Sequence, residues 1–306
     1  MKKIVIITGT TATGKTELSI KLAKLINGEI ISADSMMVYK YMDIGTAKPS
    51  IEERQNIPHY LIDIKNPDEK FSVKEFIKLA DEKIDYISQK GKIPIIVGGT
   101  WLYIQALLYG LSEAPEGDWN LRSKLYLLSE SELYEKLKQV DPDYASKIHK
   151  NDKKRIIRAL EVYYKTGKPF SNFIKEHSFK NKRYEFIGFN VTRDKKQIME
   201  RIEKRVYKMI EAGLIDEVKF LLDKGYKNAL TSMQAIGYKE LIPYIENKQT
   251  LEKSIQDIIK NTKEFAKRQI KVFRKKREFI PVDLTEKTTS LALKSIVKTI
   301  QKEVSL

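Results

Sequence analysis

The feature that most constrains this chain lies at its start. Lys3 to Thr8 is a β-branched apolar run, Gly9-Thr10-Thr11-Ala12-Thr13-Gly14-Lys15-Thr16 follows directly, and Leu18, Leu22, Leu25 and Ile26 then recur on one helical face. A strand, a loop of pattern G-x-x-x-x-G-K-T and a helix, in that order, call for an α/β sheet with a phosphate-binding loop. Gly9 and Gly14 allow backbone angles and approaches that a Cβ would obstruct, so successive N–H groups can point into one concavity at a helix N-terminus, where the macrodipole also favours anions. Such a loop grips a diphosphate. Lys15 adds a point charge for the outer oxygens, and Thr16 offers a hydroxyl to Mg²⁺ bound to them. The competing reading is a glycine-rich turn without a ligand.

Alternation of strands and helices continues to about residue 103. Gly28 to Ser32 reads as a second strand, His59 to Ile64 as a third and Ile93 to Val97 as a fourth, with a helix from Phe71 to Lys90-Gly91 between the last two. Ligand chemistry in an open α/β sheet collects beyond the carboxyl ends of its strands. Asp34, at the exit of the second strand, is therefore a catalytic carboxylate or an Asx turn, and Gly98-Gly99-Thr100 leaves the fourth strand at the same sheet edge.

The pattern then turns helical. Ser129 to Glu132 is a capping box, Asp141-Pro142 a cap followed by an N1 proline, and Asn151-Asp152 opens a helix from Lys153 to Thr166. Strand character returns at Tyr184 to Val191. The expected organisation is thus a core at 1–114, an all-helical insertion at 115–181, and resumed core with basic C-terminal helices at 182–306.

A helix from Lys195 is read with Ile198, Ile202, Met209 and Ile210 inward, Arg201, Arg205 and Lys208 on a shared face, and Gly213 as its end. Another, Leu251 to Phe273, has an apolar stripe at 251, 255, 258, 259, 265, 266, 270 and 273. Its remaining positions are basic and continue into Arg274-Lys275-Lys276-Arg277. The chain carries 57 Lys and Arg against 41 Asp and Glu, net +16, so the location of the charge decides between a solvated face and RNA-backbone contact. A nearly single-signed helix favours the latter. With no cysteine and three histidines, a disulfide framework is excluded and a zinc site disfavoured. No apolar run approaches a membrane span, so no membrane partner and a cytoplasmic location are expected.

Seven segments together carry a resemblance: the phosphate loop, Ala33-Asp34-Ser35, Asp43 to Pro49, Gly98-Gly99-Thr100, Arg155 to Tyr163, Ala235 to Glu240 and Ala266-Lys267-Arg268-Gln269. In this order they resemble the bacterial tRNA dimethylallyltransferases, also called tRNA isopentenyltransferases. The resemblance implies a P-loop NTPase-like parallel sheet flanked by helices, with a mobile helical insertion. It also implies transfer of a dimethylallyl group from dimethylallyl diphosphate to the N6 amine of the adenosine 3′ of the anticodon in tRNA, with Mg²⁺ at Thr16. Gly9, Thr10, Thr11, Ala12, Thr13, Gly14, Lys15 and Thr16 would bind the diphosphate. Asp34 would be the general base, with Thr100 and Arg205 also catalytic; Arg201 competes with Arg205 for the role of diphosphate-binding arginine. The anticodon stem-loop would meet Asp34, Ser35, Met36, Met37, Thr100, Lys154, Arg155, Ile156, Ile157, Arg158, Lys267 and Arg268, and the segment Ala235 to Glu240. A monomer is expected.

Thr10, Met37, Trp101, Lys150 and Lys271-Val272 depart from residues common in that family. Trp101 could narrow the substrate channel or offer a stacking face, and Met37 lacks the side-chain hydrogen bonds of the glutamine frequent there. Two other functions are compatible with parts of the chain. A P-loop small-molecule kinase would account for the first hundred residues, and a non-catalytic RNA-binding protein with a ligand-sensing phosphate loop would leave Asp34 dispensable.

Overall fold

The computed structural model describes residues 2–229 and 231–304. In chain order the elements are β1 (Lys3–Gly9), α1 (Lys15–Leu25), β2 (Gly28–Ser32), α2 (Ile51–Arg54), β3 (His59–Tyr60), α3 (Val73–Gln89), β4 (Ile93–Gly98) and α4 (Trp101–Tyr109). Then come α5 (Trp119–Tyr126), α6 (Glu130–Val140), α7 (Pro142–Ala145), α8 (Lys153–Thr166) and α9 (Phe170–His177). The series ends with β5 (Glu185–Thr192), α10 (Lys195–Glu211), α11 (Leu214–Asp223), α12 (Tyr238–Ile245), α13 (Leu251–Phe273), β6 (Ile280–Asp283) and α14 (Thr289–Val304). Two compact units result: Met1–Leu108 with Arg183–Leu306, and Tyr109–Lys182.

The first unit is built on one sheet in the order β3-β2-β4-β1-β5-β6, and every pairing is parallel. Strands covered on both faces become continuously apolar, which is why β1 reads Ile4-Val5-Ile6-Ile7 rather than alternating. One face, with Val5, Ile7, Ile30, Ile95, Phe189 and Val191, packs on α1 and α14. Val38, Tyr39, Met42, Leu214, Leu241 and Ile258 form a separate cluster under α10 to α13.

The third strand is shorter than expected, ending at Tyr60, because Leu61 and Asp63 turn the backbone into positive φ (62° and 57°). Asp63 then pairs with Lys48, an ammonium that also meets Asp43 and is almost fully buried. The sixth strand and α14 had not been expected. Ile280-Pro281-Val282-Asp283 is short and mostly exposed, so it lacks the apolar run of an inner strand. Its pairing beside β5 positions α14, whose Ala292, Leu293, Ile296 and Ile300 are buried on one helical face at i, i+1, i+4 and i+8.

In α10 the inward positions are Ile198, Ile202 and Val206, with Met209 and Ile210 only partly buried; a left-handed Gly213 separates it from α11. Phe265 on α13 corrects its expected inward placement, being 39% exposed. Gln269 is buried instead.

The helical unit shows the expected caps. Ser129 and Glu132 form the capping box, Asp141 caps α7, and Asp152 accepts the Arg155 amide at the start of α8. Its core comprises Leu125, Leu133, Leu137, Ile156, Ile157 and Leu160. Glu161 is fully buried there, paired with Arg122 and Arg158 and accepting the Asp118 amide.

Candidate active site

The phosphate loop leaves the central strand β1 and opens α1. Gly9 has φ 139°, and a Cβ there would lie 2.2 Å from the Val191 carbonyl oxygen; Gly14 has φ 105° and precedes α1 directly. Ala12 also sits in the left-handed region at φ 62°. The loop is braced internally, since Thr13 Oγ1 donates to the Thr10 carbonyl at 2.8 Å and Lys15 Nζ to the same oxygen at 2.6 Å. Among the described residues the amides of residues 13 to 16 have no protein acceptor. They run from the end of the loop into the unsatisfied first turn of α1, the usual place for an anion.

Three arginines follow the loop from outside. Arg193 Nε lies 3.4 Å from the Thr13 carbonyl, Arg201 Nε donates to the Ala12 carbonyl at 2.7 Å, and Arg205 Nη1 reaches Thr11 Oγ1 at 3.3 Å. Both alternatives raised for the diphosphate arginine thus reach the loop; Arg205 is the more enclosed. Burial lowers its pKa, opposed by Asp34 and reinforced by Arg201. Burial is also the first cause at Lys15, followed by repulsion from Arg205 and partial relief from Asp34, and its pKa falls to about 7. Lys15, Arg205 and Asp34 therefore share one electrostatic environment.

Asp34 fulfils the Asx-turn reading without losing the catalytic one. Its Oδ1 accepts the amides of Met36 (2.8 Å) and Met37 (3.3 Å), which leaves Oδ2 without a protein partner among the described residues. Ser35, Met36 and Met37 are half-buried around that turn. Thr100 is half-buried at the end of β4, and its carbonyl accepts the amides of Tyr103 and Ile104 to begin α4.

Trp101 is half-buried among aromatic neighbours. Its ring meets Phe273 and Phe279 edge-on at 6.2 and 5.7 Å, its Nε1 donates to Gln105, and Lys276 lies 3.9 Å from the ring centroid. The indole ties α4 to the end of α13.

Gln269 was quoted from the sequence without a role. Its Oε1 accepts the Thr11 amide at 2.8 Å and its Nε2 donates to the Gly99 carbonyl at 3.0 Å, so it spans the phosphate loop and the Gly-Gly-Thr turn. A polar residue at an inward position of an amphipathic helix was the available signal. Glu217 is a second omission, accepting the amides of Asp43, Ile44 and Gly45 and the Tyr238 hydroxyl. The segment Ala235 to Glu240 is turned inward with it: Tyr238 is fully buried, and Glu240 accepts from the Gly237 amide and Asn261.

On the helical unit, Lys154 and Arg155 are exposed, Arg155 beside Asp152 at 3.3 Å. Ile156 and Ile157 correct the expectation of RNA contact, because both side chains are enclosed in that unit's core at 0% and 1% exposure. Arg158 is engaged by Glu161 and the Pro115 carbonyl. Lys267 and Arg268 are exposed on α13. That helix is less single-signed than its sequence suggests, since Lys253, Lys263 and Lys267 pair with Asp257, Glu203 and Glu264.

No group of three or more His, Cys, Asp or Glu suited to a metal occurs among the described residues. Thr16 offers one exposed hydroxyl beside the loop, which fits a hard cation that takes most of its oxygens from a diphosphate rather than from the protein. No helix among them is long and apolar enough to cross a membrane.

A parallel sheet with a phosphate loop on its central strand, and one carboxylate facing a cationic anion site at the strands' carboxyl edge, define a P-loop NTPase-like protein equipped for a phosphorylated substrate. The IPP transferase family model matches residues 37–276, and the chain belongs to that family. It is 60% identical to a tRNA dimethylallyltransferase of Sulfurihydrogenibium sp., over 98% of each chain, and 52% identical to that of Aquifex aeolicus, over 97% of each. Among solved structures, it matches a tRNA isopentenylpyrophosphate transferase from Staphylococcus epidermidis with TM-score 0.75 at 40% identity, covering 99% of this chain and 100% of that one. A eukaryotic dimethylallyltransferase acting on tRNA matches with TM-score 0.79 at 33% identity, over 94% of this chain and 75% of the other.

Proposed function

We propose that this chain transfers the dimethylallyl group of dimethylallyl diphosphate to the N6 amine of the adenosine 3′ of the anticodon in tRNA, releasing diphosphate. The observation that carries the reading is the lone carboxylate Asp34 within electrostatic reach of Lys15 and Arg205. A kinase also uses a carboxylate to take the proton of its attacking hydroxyl, so the base fits either chemistry, and the family match across residues 37–276, well beyond the loop, favours prenyl transfer.

In this reaction the N6–C bond forms as the allylic C–O bond breaks. The bonding electrons of C–O leave with diphosphate, and the amine proton passes to Asp34 Oδ2, the oxygen that the Asx turn leaves unused. A positioned base contributes about 10²–10⁴-fold. The amides of residues 13 to 16, with Lys15 and Arg205, hold the diphosphate and stabilise charge that grows as it departs. Thr16 is the residue that would hold Mg²⁺ arriving with the substrate, and the chemistry supplied would be partial neutralisation of that charge. The half-buried Ser35-Met36-Met37 turn follows the base directly, Thr100 leaves the neighbouring strand at the same sheet edge, and meeting the base requires the adenine to leave its stack. Lys267 and Arg268 on α13, with Lys154 and Arg155 on the helical unit, are assigned to the RNA backbone, and we place the enzyme in the cytoplasm with its tRNA.

The test is mass spectrometry of nucleosides from unmodified anticodon stem-loop incubated with enzyme, Mg²⁺ and dimethylallyl diphosphate. Prenylated adenosine is expected with the wild type and its near-loss with Asp34→Ala. Absence of product accompanied by ATP consumption would replace this reading with the kinase one.

A further inference from the structure

We propose that Gln269 is a positioning residue that holds the phosphate loop in its anion-binding shape by locking the Thr11 peptide to the Gly99 carbonyl. Both of its partners are backbone groups of opposite sense, an N–H at 2.8 Å and a carbonyl at 3.0 Å, so a primary amide satisfies both where a carboxylate or an aliphatic chain cannot. The side chain is only 8% exposed, which makes loss of either bond costly.

The local backbone shows what the lock is for. Thr11 immediately precedes Ala12, a non-glycine residue at φ 62°, a conformation that persists only where its surroundings impose it. Gln269 holds the amide on one side of Ala12, and Arg201 holds the Ala12 carbonyl at 2.7 Å on the other. Beyond Ala12 come the four amides, residues 13 to 16, that have no protein acceptor among the described residues. Fixing the Thr11–Ala12 unit therefore fixes the direction in which those amides point. Ala12 is also packed against the cluster of Ile198, Ile202 and Ala266, so α10 and α13 brace the same short segment.

Gly99 gives an independent handle. A Cβ there would stand 2.6 Å from Gln269 Nε2, while its next contact, the Gly9 carbonyl oxygen, is 3.4 Å away. The obstacle is the end of a flexible side chain, so Gly99→Ala should displace the Gln269 amide while leaving the turn itself in place. A small residue at 99 and an amide at 269 are thus two halves of one contact.

The inference rests on the proposed function only for the identity of the diphosphate. The experiment measures steady-state kinetics with dimethylallyl diphosphate and anticodon stem-loop, and calorimetric binding of inorganic diphosphate, for the wild type, Gln269→Ala, Gln269→Glu, Gly99→Ala and the Gly99→Ala/Gln269→Ala double variant. For Gln269→Ala the expected result is a KM for dimethylallyl diphosphate raised about tenfold, with the stem-loop KM and kcat changed less than about threefold, as for loss of one buried hydrogen-bonding group. Gly99→Ala should match it, and the double variant should be no worse than either alone. Gln269→Glu supplies the signature that mere packing would not give. Ionised, its carboxylate repels the Gly99 carbonyl; protonated, it can donate to that oxygen and accept from Thr11. Its KM relative to wild type at each pH should therefore fall toward one as pH is lowered from 8 to 6, while the Gln269→Ala ratio stays flat. Unchanged diphosphate affinity in Gln269→Ala, or additive losses in the double variant, would overturn the inference. If the wild type yields no prenylated adenosine, the proposed function fails, and diphosphate calorimetry on the same variants still decides the role of Gln269.

Discussion

The two ends of this sheet bury charge in opposite ways. At the amino end, Glu29 of β2 is fully enclosed, and Lys90 and Lys92 each donate to its Oε1 at 2.6 Å while Tyr60 donates to Oε2 at 2.7 Å. Burial alone would raise its pKa, but these hydrogen bonds outweigh it and hold the carboxyl at about 2. At the carboxyl end, Lys15 is half-buried beside a second cation, Arg205, with Asp34 as partial relief, and desolvation together with that repulsion lowers its pKa to about 7. A buried charge given more than enough partners is part of the scaffold. One given too few is prepared for a ligand that brings the missing charge. Glu161 of the helical unit, held by Arg122, Arg158 and a backbone amide, belongs with Glu29.

Substitutions at the two ends should therefore separate stability from activity. The largest effect is expected from Asp34→Asn, a loss of about 10²–10⁴-fold in kcat with little change in KM for dimethylallyl diphosphate, read in single-turnover product formation. Lys15→Met should follow, lowering kcat/KM by about 10²–10³-fold while thermal stability is retained or rises, because a poorly compensated buried cation has been removed. At the other end, Glu29→Gln should leave kcat/KM of the folded enzyme within about twofold but cost roughly 1–3 kcal/mol in chemical denaturation. The value sits at that level because Lys90 and Lys92 keep about a third of their side-chain surface and can hydrate. Smallest, Arg268→Ala should weaken stem-loop binding a few-fold and reduce the slope of log affinity against log salt by about one.

Both groups titrate lower in the folded protein than in the unfolded chain, so both make stability rise with pH, in separate windows and from opposite causes. Glu29 has a folded pKa below its unfolded value, so its contribution is present above about 4.5 and is lost as pH falls toward 2. Lys15 has a folded pKa of about 7 against 10.5 unfolded, so the unfolded chain binds more protons in that interval. The ligand-free protein should gain stability as pH rises from 7 toward 10.5 through this group, and Lys15→Met should remove that gain.

What the sequence revealed divides along the same line. The phosphate loop and the bounds of α8 and α13 were legible, because loop glycines, caps and helical periodicity are local signals. Asp34 was legible as a residue at a strand exit, where an Asx turn and a base remained equal readings; the structure shows how one carboxylate can have an oxygen for each. Gln269, Glu217 and Glu29 were not assigned, since their meaning comes from partners 258, 174 and 61 positions away. β6 was missed because a four-residue edge strand containing proline has no pattern of its own. Ile156 and Ile157 belong to the segment Lys154 to Arg158 that matches the family motif on α8, and helical periodicity, which places them in the core, is the better guide.

Lys15, short of negative partners at the carboxyl end of the sheet, awaits an anion. The measurement is calorimetric titration of a non-reactive dimethylallyl thiolodiphosphate into the enzyme at pH 8, in two buffers of different ionisation enthalpy. A diphosphate that completes the site should restore the lysine's proton, giving net uptake approaching one proton per ligand for the wild type beyond that of Lys15→Met. Equal proton uptake by the two proteins, with wild-type affinity retained in the variant, would contradict the account.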